Sequence, residues 1–176
     1  MFPEHYRLLS IIFSYPEDEG ILKESCRKLV EISNGIQELD ELAEFIENSP
    51  LSQIQEEYVS SFELQPVCIP YIAHHIFGES YKKGEYMVFL REMYRQNSFV
   101  PSINELPDHI AVVSEFLSIM GNGREKFLAA VMPGIEKMAE SIEDKEFHYR
   151  QAVLLFHRLC SAEFSKSEEV IECSTC

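Results

Sequence analysis

The sequence predicts an all-α fold, a single-domain helical bundle of about seven to nine helices. Three observations predict it. Apolar residues recur at three- and four-residue steps along most of the chain, and no stretch alternates as a half-buried strand does. Pro, Gly, Asn and Ser gather between those periodic stretches, where helices start and stop. At 176 residues, with 45% hydrophobic and 26% charged side chains, the chain matches one globular domain able to bury a core.

The elements follow in order. Residues 4–14 carry Tyr6, Leu8, Leu9, Ile11, Ile12 and Phe13 before Pro16 interrupts. A second helix fits 18–33, with Leu22, Cys26, Leu29, Val30 and Ile32 on one side and Asn34-Gly35 as its stop. A third fits 37–47 through Leu39, Leu42, Ala43, Phe45 and Ile46. Ser49-Pro50 reads as an N-cap followed by proline at the first helical position, opening a helix to about Phe62. Two prolines, Pro66 and Pro70, make 65–70 an extended connector or hinge. After Gly78-Glu79-Ser80 the helical spacing returns through Tyr86, Phe89, Leu90, Met93 and Tyr94, and Asn97-Ser98 stops it. Residues 98–106 form a loop, and Pro107 opens a helix to about Met120. The next helix begins near Arg124, and Pro133-Gly134 should kink or split it. The last long helix, about 145–165, is the most hydrophobic and is expected at the centre of the bundle. Residues 1–164 thus form the helical domain, and 165–176 a polar, mobile tail.

Charge narrows the function classes. Thirty acidic residues against fifteen basic ones give −15, and residues 1–64 hold 14 acids against 4 bases. Nucleic acid is disfavoured, because phosphate neutralisation needs clustered Lys and Arg. Anionic membrane surfaces are disfavoured for the same reason, whereas a basic peptide or protein surface would be attracted. No apolar run approaches the roughly 20 residues that span a bilayer, and the N-terminus lacks a secretory pattern, so the expected location is cytoplasmic. Five scattered cysteines (Cys26, Cys68, Cys160, Cys173, Cys176) make no disulfide framework.

Familiar catalytic arrangements are missing. Cys173-Ser174-Thr175-Cys176 is a CxxC without the second ligand pair that zinc requires. His74 and His75 are adjacent, so on a helix they point about 100° apart. Neither a nucleophile elbow nor a phosphate-binding glycine loop occurs. A small metal- or thiol-dependent enzyme would have to draw on Cys68, His74, His109 or the Cys173/Cys176 pair. A helical adaptor for some other basic partner is the third reading.

The most informative run is Glu105-Leu106-Pro107-Asp108-His109-Ile110, continuing to Glu115-Phe116. If Pro107 starts the helix, Asp108 and His109 lie where backbone N–H groups are unpaired and a carboxylate is favoured by the helix dipole. Asp108 and Glu115 then share a face about 10 Å apart, too far for a coupled acid–base pair but suited to an extended basic ligand. Capping with a solvated acidic face is the equally available structural reading.

This run resembles the P-D-H-[IL]…E-F signature of the TorD/DmsD/NarJ family of redox-enzyme maturation chaperones. Gly78-Glu79-Ser80-Tyr81 is similar to the family's E-S-x-Y segment, although Tyr81 follows Ser80 directly. Met93-Tyr94 with Ser98-Phe99 resembles its Y-x-x-x-G-F stretch, with Ser98 in the glycine's place and Asn97 beside it to take the left-handed turn. Tyr58 to Phe62 resembles Y-x-x-x-F, and Phe127-Leu128, Met132-Pro133 and Phe147-His148-Tyr149 resemble the later helices. The likeness spans about residues 8–164. It implies an all-helical cytoplasmic chaperone without catalytic turnover or cofactor of its own. Its partners would be the leader peptide, commonly a twin-arginine signal, and the catalytic subunit of a molybdopterin-dependent oxidoreductase. Matched position by position, Asp108, His109, Glu79, Tyr81, Tyr94 and Glu105 would form the peptide-binding region, with Pro107, Glu115 and Phe116 supporting it. The connector 66–70 and the loop 98–106 are places where helices could exchange between protomers, so a homodimer is compatible with the sequence.

Overall fold

The computed structural model describes residues 1–34, 36, 39–121 and 123–173, with side chains described as far as residue 166. Among the described residues there are nine helices and no named strand. They are α1 (Pro3–Ile12), α2 (Glu19–Ser33), α3 (Asp40–Asn48), α4 (Leu51–Phe62) and α5 (Ile72–Phe77), then α6 (Lys82–Gln96), α7 (Ile110–Ile119), α8 (Arg124–Ser141) and α9 (Arg150–Cys173). Helix α1 packs on α7, α2 and α9; α8 joins α9 and α5; α5 also meets α6.

The helix most enclosed by the others is α7, seven of whose ten residues are buried. An apolar sequence with only Ser114, Glu115 and Ser118 as polar positions can be covered on all sides. It therefore takes the central place expected of the last helix, although α9 also buries Leu155, Phe156, Leu159 and Cys160.

Local chemistry accounts for the helix ends. The Asp18 side chain accepts from the Ile21 N–H at 2.9 Å and caps α2. At α4 the N-cap residue is Pro50 itself, one position later than expected, and Ser49 ends α3. The turn after α6 puts Ser98, not Asn97, at a left-handed φ of 52°. Proline 133 neither splits nor ends its helix: α8 runs unbroken through it. The carbonyl it leaves without a partner belongs to exposed Ala129, where water can reach it. Its neighbour Gly134 faces inward. A Cβ there would lie 2.5 Å from Ile72 Cγ2 and 2.7 Å from the Ile72 carbonyl oxygen, so only glycine allows α5 to seat against α8.

Helix α5 was not foreseen, since its apolar positions, Ile72, Ala73, Ile76 and Phe77, keep helical spacing over only six residues between Pro70 and Gly78. The connector before it is tied at several points: Lys145 Nζ donates to the Val67 carbonyl at 2.7 Å, and the Cys68 N–H to that of Ser61 at 3.0 Å. Far from this seam, Glu163 on α9 accepts from Arg124 Nε at 2.5 Å and from the Phe2 N–H at 2.9 Å. Arg124 also donates to the carbonyls of Leu117 and Met120 and covers the Tyr6 ring, so one buried ion pair fastens α1, α7, α8 and α9 together. The last helix also runs later than its expected span of about 145–165, from Arg150 to Cys173.

Candidate functional site

Helix α7 starts at Ile110 rather than at Pro107, because His109 is its N-cap. The His109 Nδ1 accepts from the Ala111 N–H at 3.2 Å. That fixes Nδ1 as the unprotonated nitrogen, and burial pulls the imidazole pKa down to about 4. Asp108 and Glu115 are consequently not two carboxylates on one solvated helix face. The residues before Ile110 run antiparallel to the connector: Ile72 donates to the Asp108 carbonyl at 3.0 Å, and Ile110 to that of Pro70 at 2.9 Å. This is a single bridge, Tyr71 opposite His109, with their rings edge to face at 5.2 Å.

Asp108 is only 1% exposed. Its Oδ2 accepts from the Ala73 N–H at 3.0 Å, so it caps α5 from another part of the chain. Its Oδ1 is buried with no hydrogen-bond partner among the described residues. Burial raises the carboxyl pKa above its ordinary 3.8, and the bond from Ala73 opposes that rise. Asp108 and His109 therefore sit under the surface instead of forming an exposed polar lip. They join α5 to α7.

The neighbouring residues hold the loop in front of this seam. Tyr94 is buried, donates to the Pro107 carbonyl at 2.6 Å, and packs its ring on Phe99 and Phe116 at 5.0 and 4.6 Å. Glu115 accepts from the Ser102 N–H at 3.0 Å, while Phe116 and Pro107 are buried. Glu105 stays at the surface, where Tyr71 donates to it at 3.1 Å. Glu79 and Tyr81 lie apart, at the opposite end of α5; Tyr81 is 83% exposed, and Glu79 lies 3.7 Å from Lys83. The fold thus gathers Tyr94, Glu105, Pro107, Asp108, His109, Glu115 and Phe116, but not Glu79 and Tyr81. Tyr71, which touches both His109 and Glu105, was missed by sequence reasoning. Its only signal was an aromatic residue directly after Pro70.

In front of the loop lies a concavity of about 600 Å³ walled by Arg91, Tyr94, Phe99, Leu106 and Glu105. Aromatic faces beside a carboxylate suit a peptide that carries both apolar and cationic side chains.

Thiol and metal chemistry find less support. Burial pushes the Cys68 thiol up to about 12, as it does those of Cys26 and Cys160, leaving no thiolate at neutral pH. Among the described residues, no three His, Cys, Asp or Glu side chains are grouped to hold a metal ion. His75 Nε2 lies 2.8 Å from the Ile69 carbonyl, which makes it a structural residue of the connector. The Cys173/Cys176 motif lies outside the residues whose side chains are described. Among the described residues no helix is long and apolar enough to cross a membrane.

Comparison with known proteins agrees with this arrangement. Residues 30–160 match the model of the nitrate reductase delta subunit family. The Bacillus subtilis (strain 168) protein named "Probable nitrate reductase molybdenum cofactor assembly chaperone NarJ" is 25% identical over 166 residues, covering 89% of this chain and 86% of that protein. A candidate redox enzyme maturation protein from Archaeoglobus fulgidus, known from its crystal structure, superposes with a TM-score of 0.65 at 27% identity, covering 92% of this chain and 94% of that one. Since the family match takes in the connector, α5, the loop 98–106 and α7, the chain belongs to the nitrate reductase delta subunit family of NarJ/TorD-type chaperones, whose members assemble enzymes rather than catalyse reactions.

Proposed function

We propose that the protein is a cytoplasmic assembly chaperone for a molybdopterin-dependent oxidoreductase. It holds the leader or N-terminal segment of the catalytic subunit, commonly of twin-arginine type, until the cofactor is in place. The observation that carries this reading is the near full-length similarity to a protein named as a molybdenum cofactor assembly chaperone. The geometry supports it with an exposed carboxylate, Glu105, beside the aromatic wall of Tyr94 and Phe99. Asp108 and His109 act from beneath, by fixing the turn that presents Glu105.

The test is titration of the purified chain with a peptide of the first residues of the catalytic subunit, followed by fluorescence anisotropy. Binding should weaken as salt rises, because part of the attraction is between exposed charges. Glu105→Gln should weaken it more than Glu47→Gln, whose carboxylate is already engaged by Arg27. No binding of either the peptide or the catalytic subunit overturns the proposal.

A further inference from the structure

We infer that the peptide-binding face does not end at Glu105 but continues into a groove centred on Tyr15. That groove takes a segment with arginine or lysine at one end and large apolar side chains at the other. The inference rests on the reading of the protein as a leader-binding chaperone and assigns new residues to that role.

Glu105 and Asn104 wall two concavities at once. One is the cavity beside Tyr94. The other, of about 580 Å³, lies between the α1–α2 turn and the loop, lined by Tyr15, Glu17, Asp18, Ile21, Ile103 and Glu105. Tyr15 in turn walls a third, of about 450 Å³, formed by Gln55, Glu56 and Val59 of α4 and by Leu64 just beyond it. The three hollows follow one another across a single face, with Glu105 and Tyr15 as the dividing ridges.

Two features of the second and third hollows select the occupant. Among the described residues, no Lys, Arg or His lines either, whereas Glu17, Asp18, Glu105 and Glu56 all border them. A potential of one sign, over walls of low dielectric constant, favours a cationic partner and disfavours an anionic one. The floor is also unusually apolar for a surface. Tyr15 is 43%, Ile21 56% and Leu64 73% exposed, so three of the nine large hydrophobic residues exposed on the described chain surround this groove. Leu106, on the far side of Glu105, is a fourth. Such grouping marks an interaction surface more than scattered apolar exposure does. Charge is graded along it: the middle hollow holds the three carboxylates of Glu17, Asp18 and Glu105, whereas Glu56 alone accompanies Val59 and Leu64 beyond Tyr15. An extended segment would therefore lay its cationic residues in the middle hollow and its apolar residues on the Tyr15–Leu64 side.

The test uses the full chain and a synthetic peptide of the first residues of the catalytic subunit, labelled with fluorescein. Tyr15→Ser with Leu64→Ser should weaken binding about tenfold through lost apolar contact. Val88→Ser, an equally exposed change on α6, should leave it unaltered. All three chains should remain folded at the assay temperature, the Tyr15/Leu64 variant melting slightly lower because Tyr15 packs edge to face on Tyr58. A nitroxide at the cationic end of the peptide should broaden the amide resonances of Glu17 and Ile21, and one at the apolar end those of Val59 and Leu64. Binding that survives the Tyr15/Leu64 change intact, or the reverse broadening pattern, overturns the groove assignment and leaves the leader reading standing. Failure of the unaltered chain to bind the peptide overturns both.

Discussion

Glu105 and Asp108 are three residues apart in one short turn and carry the same functional group, yet they do opposite work. Glu105 stays in water, borrows one hydrogen bond from Tyr71, and borders two concavities. Asp108 is buried, gives one oxygen to the N-terminus of α5, and leaves the other without a partner among the described residues. The difference is set by the antiparallel bridge between Tyr71 and His109, which turns Asp108 inward toward α5. Under the proposed function, one signature combines a residue that shapes the site, Asp108, with one placed to meet the peptide, Glu105, and sequence order alone does not separate them.

The contrast can be broken from the buried side first. The imidazole of His109 has a folded pKa of about 4 against an ordinary 6.5, a depressed value. Its contribution to stability is complete above pH 6.5 and is lost as pH falls toward 4. The loss should amount to about 3 kcal/mol. Urea unfolding between pH 7 and 4.5 should show it, and His109→Asn, which keeps an N-cap acceptor without titrating there, should flatten that slope.

Next in size is Gly134→Ala, which drives a methyl group into the backbone of Ile72. It should cost about 1–3 kcal/mol despite the better helix propensity of alanine, and the amides of α5 should exchange faster with deuterium. Asp108→Ala should cost about 1–2 kcal/mol through loss of the α5 cap. Asp108→Asn keeps an acceptor and removes the buried charge, so it should cost less. Because the folded carboxyl pKa is raised, the wild type should lose ground against Asp108→Asn as pH rises through that value. The smallest effect on stability should come from Glu105→Gln, within about 0.5 kcal/mol, as expected for a surface change. Comparable destabilisation by Glu105→Gln and Asp108→Ala in urea melts would erase the distinction between the two carboxylates.

Much of the architecture was legible because it rests on local signals. Helical periodicity located most of the helices, and Pro16 marked the interruption between α1 and α2. What escaped depends on partners distant in sequence. Six-residue α5 is stabilised by Asp108 and by the space at Gly134, neither of which a local window can reveal. The same remoteness hid the role of Pro133-Gly134, expected to kink or split the helix, as the point where α5 docks on an unsplit α8. At the site, the signature marked the turn that holds Glu105, Asp108 and His109. The inward direction of Asp108 and the part played by Tyr71 required the bridge, and the Tyr15 groove is made by three segments that no single stretch contains.

The placement of α1 also governs when the molecule can fold. The first helix packs on α2, which follows it, but also on the distant α7 and α9, and Glu163 completes the cluster that receives the Phe2 N–H from 161 residues earlier. During synthesis, the start of the chain must wait for nearly all the rest before its apolar side is covered. Contacts of such long sequence separation slow folding and leave hydrophobic surface open meanwhile. A protein of the chaperone type would thus itself be vulnerable to aggregation until its last helix leaves the ribosome.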